Sequence, residues 1–138
     1  MKRRICFGFA DVMRDEHRYE TPIEFDWIEP EDGKAFVIDL PEPPSGDKSD
    51  QAFFYRLASG RIVGYFNRCM HVRIPLDYDD RRFLDSSGFV VCRVHGARYD
   101  LETGDAVLGP AYTGLTRVDL TMDGNRIRVT GWKKGKMA

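Results

Sequence analysis

Cys69-Met70-His71 and Cys92-Arg93-Val94-His95 are the two stretches on which this 138-residue chain turns. Each sets a thiol and an imidazole within one tight loop, so together they offer two soft sulfur and two borderline nitrogen donors to a single inorganic centre. Donors of that kind suit an iron–sulfur cluster, zinc or copper. Two clustered pairs would also make a structural zinc site, but zinc knuckles commonly pair like spacings, and here Cys-x-His meets Cys-x-x-His. The second pair runs on through His95-Gly96-Ala97-Arg98-Tyr99-Asp100-Leu101 to Thr103-Gly104 and Gly109-Pro110, a longer pattern than a zinc knuckle requires.

The segments on either side read as strands. Ala35 to Leu40 is a β-rich run closed by Pro41, and 41–50 is a polar surface loop. Phe53 to Leu57 and Ile62 to Phe66 flank Ala58-Ser59-Gly60-Arg61, a hairpin with Gly60 in its turn. Further on, Val118, Leu120 and Met122 alternate with Arg117, Asp119 and Thr121. Asp123-Gly124-Asn125 then turns the chain into a second alternating run at Ile127 and Val129. No segment carries a helical stripe longer than about two turns, so the expected class is all-β. Residues 67–111, rich in loops and bearing both Cys/His pairs, read as a small unit inserted between strands. Residues 1–22 mix charge with short apolar pieces and are expected to form a loose arm, leaving 23–138 as one domain.

Bulk properties exclude several functions. The length suits one compact domain, and 42% hydrophobic with 31% charged residues is ordinary for a globular protein. With 21 Lys+Arg against 22 Asp+Glu, no net field draws nucleic acid or an anionic membrane. No apolar run reaches the length of a membrane span. The apolar stretch Ile5–Ala10 after Met1-Lys2-Arg3-Arg4 is cut off at Asp11, too soon for a signal peptide, so a cytoplasmic protein is expected. Of three cysteines, Cys6 stands apart, so a disulfide would cost a candidate ligand. His17 lies in a charged run and is expected to be solvated, whereas Trp27 and Trp132 read as core or edge aromatics.

Taken together, the two pairs and the residues downstream of them resemble the Rieske family: Cys-x-His, a variable loop, Cys-x-x-His-Gly, an aromatic three residues later, a Thr-Gly turn and a Gly-Pro loop. The resemblance implies an antiparallel β framework, a sandwich or partly open barrel, with an inserted cluster-binding subdomain at about 67–111. It implies one 2Fe–2S cluster per chain, with Cys69 and Cys92 on the buried iron and His71 and His95 on the outer one through Nδ1. Exchanging two thiolates for neutral imidazoles makes such a cluster easier to reduce than an all-cysteine one. The imidazole edges would face a docking partner, and their titration would make the potential fall as pH rises. Gly96 would let the backbone approach and point amides at sulfur, and Gly109-Pro110 would cover the cluster. Tyr99 would donate a phenol hydrogen bond to a ligand sulfur, or be a plain packed aromatic.

Departures from the family pattern carry information. Ile74 and Val94 stand where respiratory-chain members have a disulfide pair, and Ala97 stands where those members have a serine. Losing that clamp and that donor argues for the lower part of the family's range of roughly −150 to +300 mV, and for the soluble ferredoxins and oxygenase domains. Arg73 replaces a glycine, Arg93 replaces a proline, and the loop between the pairs is longer, with Asp77 to Arg82 read as a solvated turn. Arg68, Arg73, Arg93 and Arg98 suggest a positive rim around the cluster, unless Asp77, Asp79 and Asp80 neutralise it.

The expected function is a one-electron carrier from a reductase to a terminal oxygenase, with no small-molecule substrate of its own. The alternative is a small subunit or redox-sensing domain of a larger oxidoreductase complex. The chain itself as oxygenase fails on inventory: once His71 and His95 are assigned only His17 is left for a mononuclear iron site. No Gly-x-Gly-x-x-Gly supports a reductase.

Overall fold

The structure, a computed structural model, describes residues 15–70, 74–110 and 112–136. Its centre is the hairpin formed by β3 (Ser49–Arg56) and β4 (Ile62–Phe66). A strand alternates its side chains between two faces, and in most antiparallel sheets one of those faces is wet. Here every residue of β4 is buried, as are Ala52 to Tyr55 of β3. Ala52, Phe54, Ile62 and Phe66 join one apolar cluster with Leu40, Val118, Ile127, Val129 and Trp132. Phe53, Tyr55, Val63 and Tyr65 join a second with Leu76, Phe83, Leu115, Cys69, Cys92 and Tyr99. The hairpin is therefore a wall between two cores, which is why its sequence is so dense in aromatics. Phe53 and Phe83 stack at 4.0 Å across the second core.

Around this wall runs a six-stranded antiparallel sheet in the order β1-β9-β8-β4-β3-β2, with β1 at Glu16–Asp26, β2 at Phe36–Pro41, β8 at Arg117–Asp123 and β9 at Arg126–Lys133. β4 and β8 pair at Tyr65 and Arg117, at one end of both strands. Beyond that point the strands part around a cavity of about 570 Å³, lined among others by Ile62, Gly64, Leu120 and Met122. This is the partly open barrel that the sequence resemblance implies. The turns fall as expected, with Gly60 and Gly124 at φ of 94° and 62°, a region glycine enters freely.

A second, three-stranded sheet, β5 (Val90–Val91), β6 (Arg98–Tyr99) and β7 (Ala106–Leu108), lies within the 67–111 segment. It is fixed to the wall by Tyr65, whose hydroxyl donates to the Leu101 carbonyl at 2.7 Å and whose ring lies where a Cβ on Gly104 would stand. The glycine of the Thr103-Gly104 turn is thus required by close packing.

Two expectations change. Residues 16–22, read as part of a loose arm, are the first half of β1: Glu16, His17 and Arg18 pair with Lys133, Trp132 and Gly131. A break in register between Arg18 and Ile23 hides the alternation from the sequence. His17 is also not solvated. Its side chain is 10% exposed, set edge-on to Tyr19 at 5.1 Å and near Trp132, with Nε2 3.3 Å from Glu42. Residues 1–14, including Cys6, lie outside the described residues. No helix of the described residues is long and apolar enough to cross a membrane.

Candidate metal centre

Cys69 and Cys92 lie on loops that leave the wall and the small sheet and close on themselves. In the first, the Cys69 amide donates to the Ile74 carbonyl at 2.6 Å. Its base is tied by buried Asn67, whose amide group donates to Gln51 Oε1 at 2.7 Å and Asp77 Oδ1 at 3.1 Å, while Oδ1 accepts from the Leu76 amide at 2.7 Å. In the second, the Gly96 amide donates to the Cys92 carbonyl at 2.7 Å and the Cys92 amide to the Ala97 carbonyl at 2.9 Å. Gly96 closes that turn with a φ of 80°.

Both thiols are fully buried, and they meet each other in the second core. Burial pushes the Cys92 thiol above its ordinary value, as does its neighbour Cys69; the backbone amides of His95 and Val94, aimed at the Cys92 sulfur, pull the other way. The amides expected to follow from Gly96 are thus those of the two residues before it, brought round by its turn. A buried thiol pair, with backbone amides aimed at the Cys92 sulfur, suits a cationic centre that draws off the protons.

Tyr99 is fully buried in β6, with its hydroxyl oxygen 3.7 Å from Cys69 Sγ and accepting the Met70 amide at 3.1 Å. Burial foremost raises its pKa, so the phenol keeps its proton. Among the described residues, the Cys69 sulfur is the one side-chain atom the structure sets within reach of that hydroxyl.

His95 stands on the exposed surface three residues beyond buried Cys92, next to half-exposed Val94. His71 lies outside the described residues, as do Arg73 and Ala111. Among the described residues no three His, Cys, Asp or Glu side chains gather around a single ion. A two-iron cluster divides its ligands, thiolates on one iron and imidazoles on the other, and the buried thiol pair with its amide and phenol donors fits the first half of that set. Gly109 and Pro110 follow β7 between exposed Leu108 and exposed Tyr112.

The described arginines near the site do not form a positive rim. Arg68 pairs with Asp50 through two contacts of 2.8 and 2.9 Å, Arg93 with Asp80 at 2.7 Å, and Arg98 with Asp85 at 2.6 Å. Of the three aspartates expected to neutralise the rim, Asp80 is the one that pairs with a described arginine of it. Asp77 instead binds Asn67 and the Arg81 amide. The sequence offered no signal for Asn67, Tyr78, Asp50 or Asp85, because the partner that ties each to the site lies ten or more residues away along the chain.

Comparison with known proteins places this geometry. Residues 35–119 match the family model described as Rieske [2Fe-2S] domain. Comparison by sequence with curated proteins returns no match. Among solved structures, the ferredoxin of carbazole 1,9a-dioxygenase from Nocardioides aromaticivorans IC177 is 23% identical, with a TM-score of 0.59 over 80% of this chain and 98% of that one. The cyanobacterial plasma membrane Rieske protein of Synechocystis PCC 6803 is 23% identical, with a TM-score of 0.52 over 70% of this chain and 86% of that one. Apo dicamba monooxygenase is 17% identical, with a TM-score of 0.54 over 78% of this chain and only 33% of its own. At these identities the likeness is one of fold.

Proposed function

The chain belongs to the Rieske [2Fe-2S] domain family, an electron-carrying family, and on that basis we propose that it passes single electrons from a reductase to a terminal oxygenase. Cys69 and Cys92 would hold one iron of the cluster, and His71 and His95 the other. When bound, the cluster supplies a one-electron acceptor of higher potential than an all-cysteine centre. The rest falls to the protein. The amides of Val94 and His95 and the Tyr99 phenol offer hydrogen bonds to the two sulfurs, and the second core shields the thiolates from water.

The observation that carries this reading is the step from fully buried Cys92 to exposed His95 within three residues. It sets one end of the ligand set in the core and the other at the surface, the arrangement a carrier needs to take and give an electron by contact. The exposed apolar side chains of Val94, Val107, Leu108 and Tyr112 flank the same segment and suit a protein partner. The chain's inventory of three histidines supports a carrier without a catalytic site of its own.

Anaerobic purification, dithionite reduction and low-temperature EPR test the ligand set. A red-brown protein whose average g lies below that of all-cysteine clusters is expected. A colourless protein holding one zinc after reconstitution would overturn the assignment. Reduction by a flavin reductase and reoxidation by a ring-hydroxylating oxygenase then test the role. A cluster that neither partner type turns over would favour a subunit or sensor.

A further inference from the structure

The loop between the two Cys/His pairs exposes Tyr78, Asp79, Arg81 and Arg82, as a solvated turn does, but its backbone is held in one particular shape. Asp79 and Arg81 both take left-handed backbone conformations, with φ of 64° and 62°. For a residue with a Cβ that costs free energy, and for arginine, which has no short polar side chain to compensate, the cost is greater than for aspartate. Such strain persists only where surroundings enforce it. The surroundings are visible: buried Asp77 accepts the Arg81 amide at 2.9 Å and the Asn67 side chain at 3.1 Å, and Asp80 accepts the Arg82 amide at 3.1 Å.

What the strained loop presents is a socket for one side chain from the other ligand loop. The Arg93 guanidinium lies 4.6 Å from the centre of the Tyr78 ring, while its Nη1 donates to Asp80 Oδ2 at 2.7 Å, Asp80 Oδ1 at 3.0 Å and the Arg82 carbonyl at 3.2 Å. The backbone of Arg93 is gripped as well. Its amide donates to the Leu76 carbonyl at 2.9 Å and its carbonyl accepts the Tyr78 hydroxyl at 2.9 Å. Arg93 directly follows Cys92, and Leu76 lies at the end of the segment that Asn67 ties to Cys69.

We propose that Tyr78, Asp80 and Arg93 form a non-covalent latch that fixes the loop of Cys92 and His95 to the loop of Cys69. Arg93 is thereby a positioning residue, and the extra length of the 77–82 loop is the part that receives it. The relevance to cluster retention rests on the ligand assignment above; the latch itself does not. Cysteine cannot serve as the tie among the described residues, because Cys69 and Cys92 already face each other.

The test compares Arg93→Gln, Asp80→Asn, Arg93→Lys and the Arg93→Gln/Asp80→Asn pair in the full chain. Two rates are read: bleaching of the visible cluster absorption in chelator, and amide exchange over residues 76–95. Arg93→Gln is expected to speed both about five- to tenfold, the scale of a half-exposed ion pair and a cation–π contact acting together, and Asp80→Asn, which leaves the Tyr78 contact, by less. The double variant should be no faster than Arg93→Gln, Arg93→Lys should recover part of the loss, and the thermal midpoint of the β framework should not move. Unchanged rates in both single variants, additive effects in the double, or a midpoint that falls in step with the rates would each overturn the latch. A colourless wild-type chain would sink the electron-carrier reading while leaving the exchange measurement to decide the latch.

Discussion

Tyr99 shows how much a single atom's position can carry. Its ring fills the second core beside Phe53 and Tyr65, and its hydroxyl reaches both the Met70 amide and the Cys69 sulfur. A donor at a ligand sulfur favours the reduced, more negative cluster. Removing it in Tyr99→Phe should therefore lower the midpoint potential, by about 40 mV if the bond contributes about 1 kcal/mol in a one-electron couple. Redox titration against dyes measures this, and an unchanged potential would return Tyr99 to a packing role. The position was legible in the sequence as an aromatic three residues after Gly96. The family resemblance left open whether its hydroxyl reaches a sulfur or merely packs, because nothing in the spacing reports which way a phenol points.

Among the elements, the β3–β4 hairpin is what joins framework to site. Gly64 sits mid-strand in β4, where a Cβ would enter the Phe54 ring. That close approach lets Phe54 lie flat against β4 and face the core shared with Trp132. Gly64→Ala is expected to lower unfolding stability by about 1–3 kcal/mol through overpacking, with a shift of the urea midpoint as the readout. Both strands of this hairpin could be read as apolar runs about the Gly60 turn, and both of β8–β9 from alternation about Gly124. The first half of β1 could not. Its pairing with β9 depends on a register break after Arg18, and on Tyr19, whose hydroxyl donates to the Pro41 carbonyl at 2.7 Å. Local periodicity reports neither.

Across the molecule as a unit, ionisable groups set a window of stability. The Arg98 hydrogen bond foremost holds the Asp85 carboxyl below its ordinary 3.8, and at Asp80 a desolvation penalty is outweighed by Arg93 and the Arg82 amide. Depressed carboxyls contribute stability above about pH 4 and lose it as pH falls through their folded values. At the other limit, burial foremost raises Tyr55 from 10.0 to about 12. A raised phenol contributes below pH 10 and loses that contribution as pH climbs toward 12. The urea midpoint should thus be flat from about pH 4 to pH 10 and fall on both sides. A peak confined to neutral pH would show that other groups dominate.

The class of strands, the two hairpins, the family and the four candidate ligands can all be read from the chain as written, because each is expressed in neighbours: alternation, turn glycines and the spacing of Cys and His. The surroundings of the thiols come from the folded arrangement and from nothing else. The arginines beside the site could be read as a positive rim or as neutralised by the nearby aspartates; Asp80 does reach Arg93, but Asp50 and Asp85, which reach Arg68 and Arg98, come from elsewhere in the fold. The run Asp77 to Arg82 is largely solvated, as expected, yet its strained backbone also receives Arg93, which the sequence does not reveal. Charge pairing and burial depend on distances through space between residues far apart along the chain, and no local pattern encodes those distances.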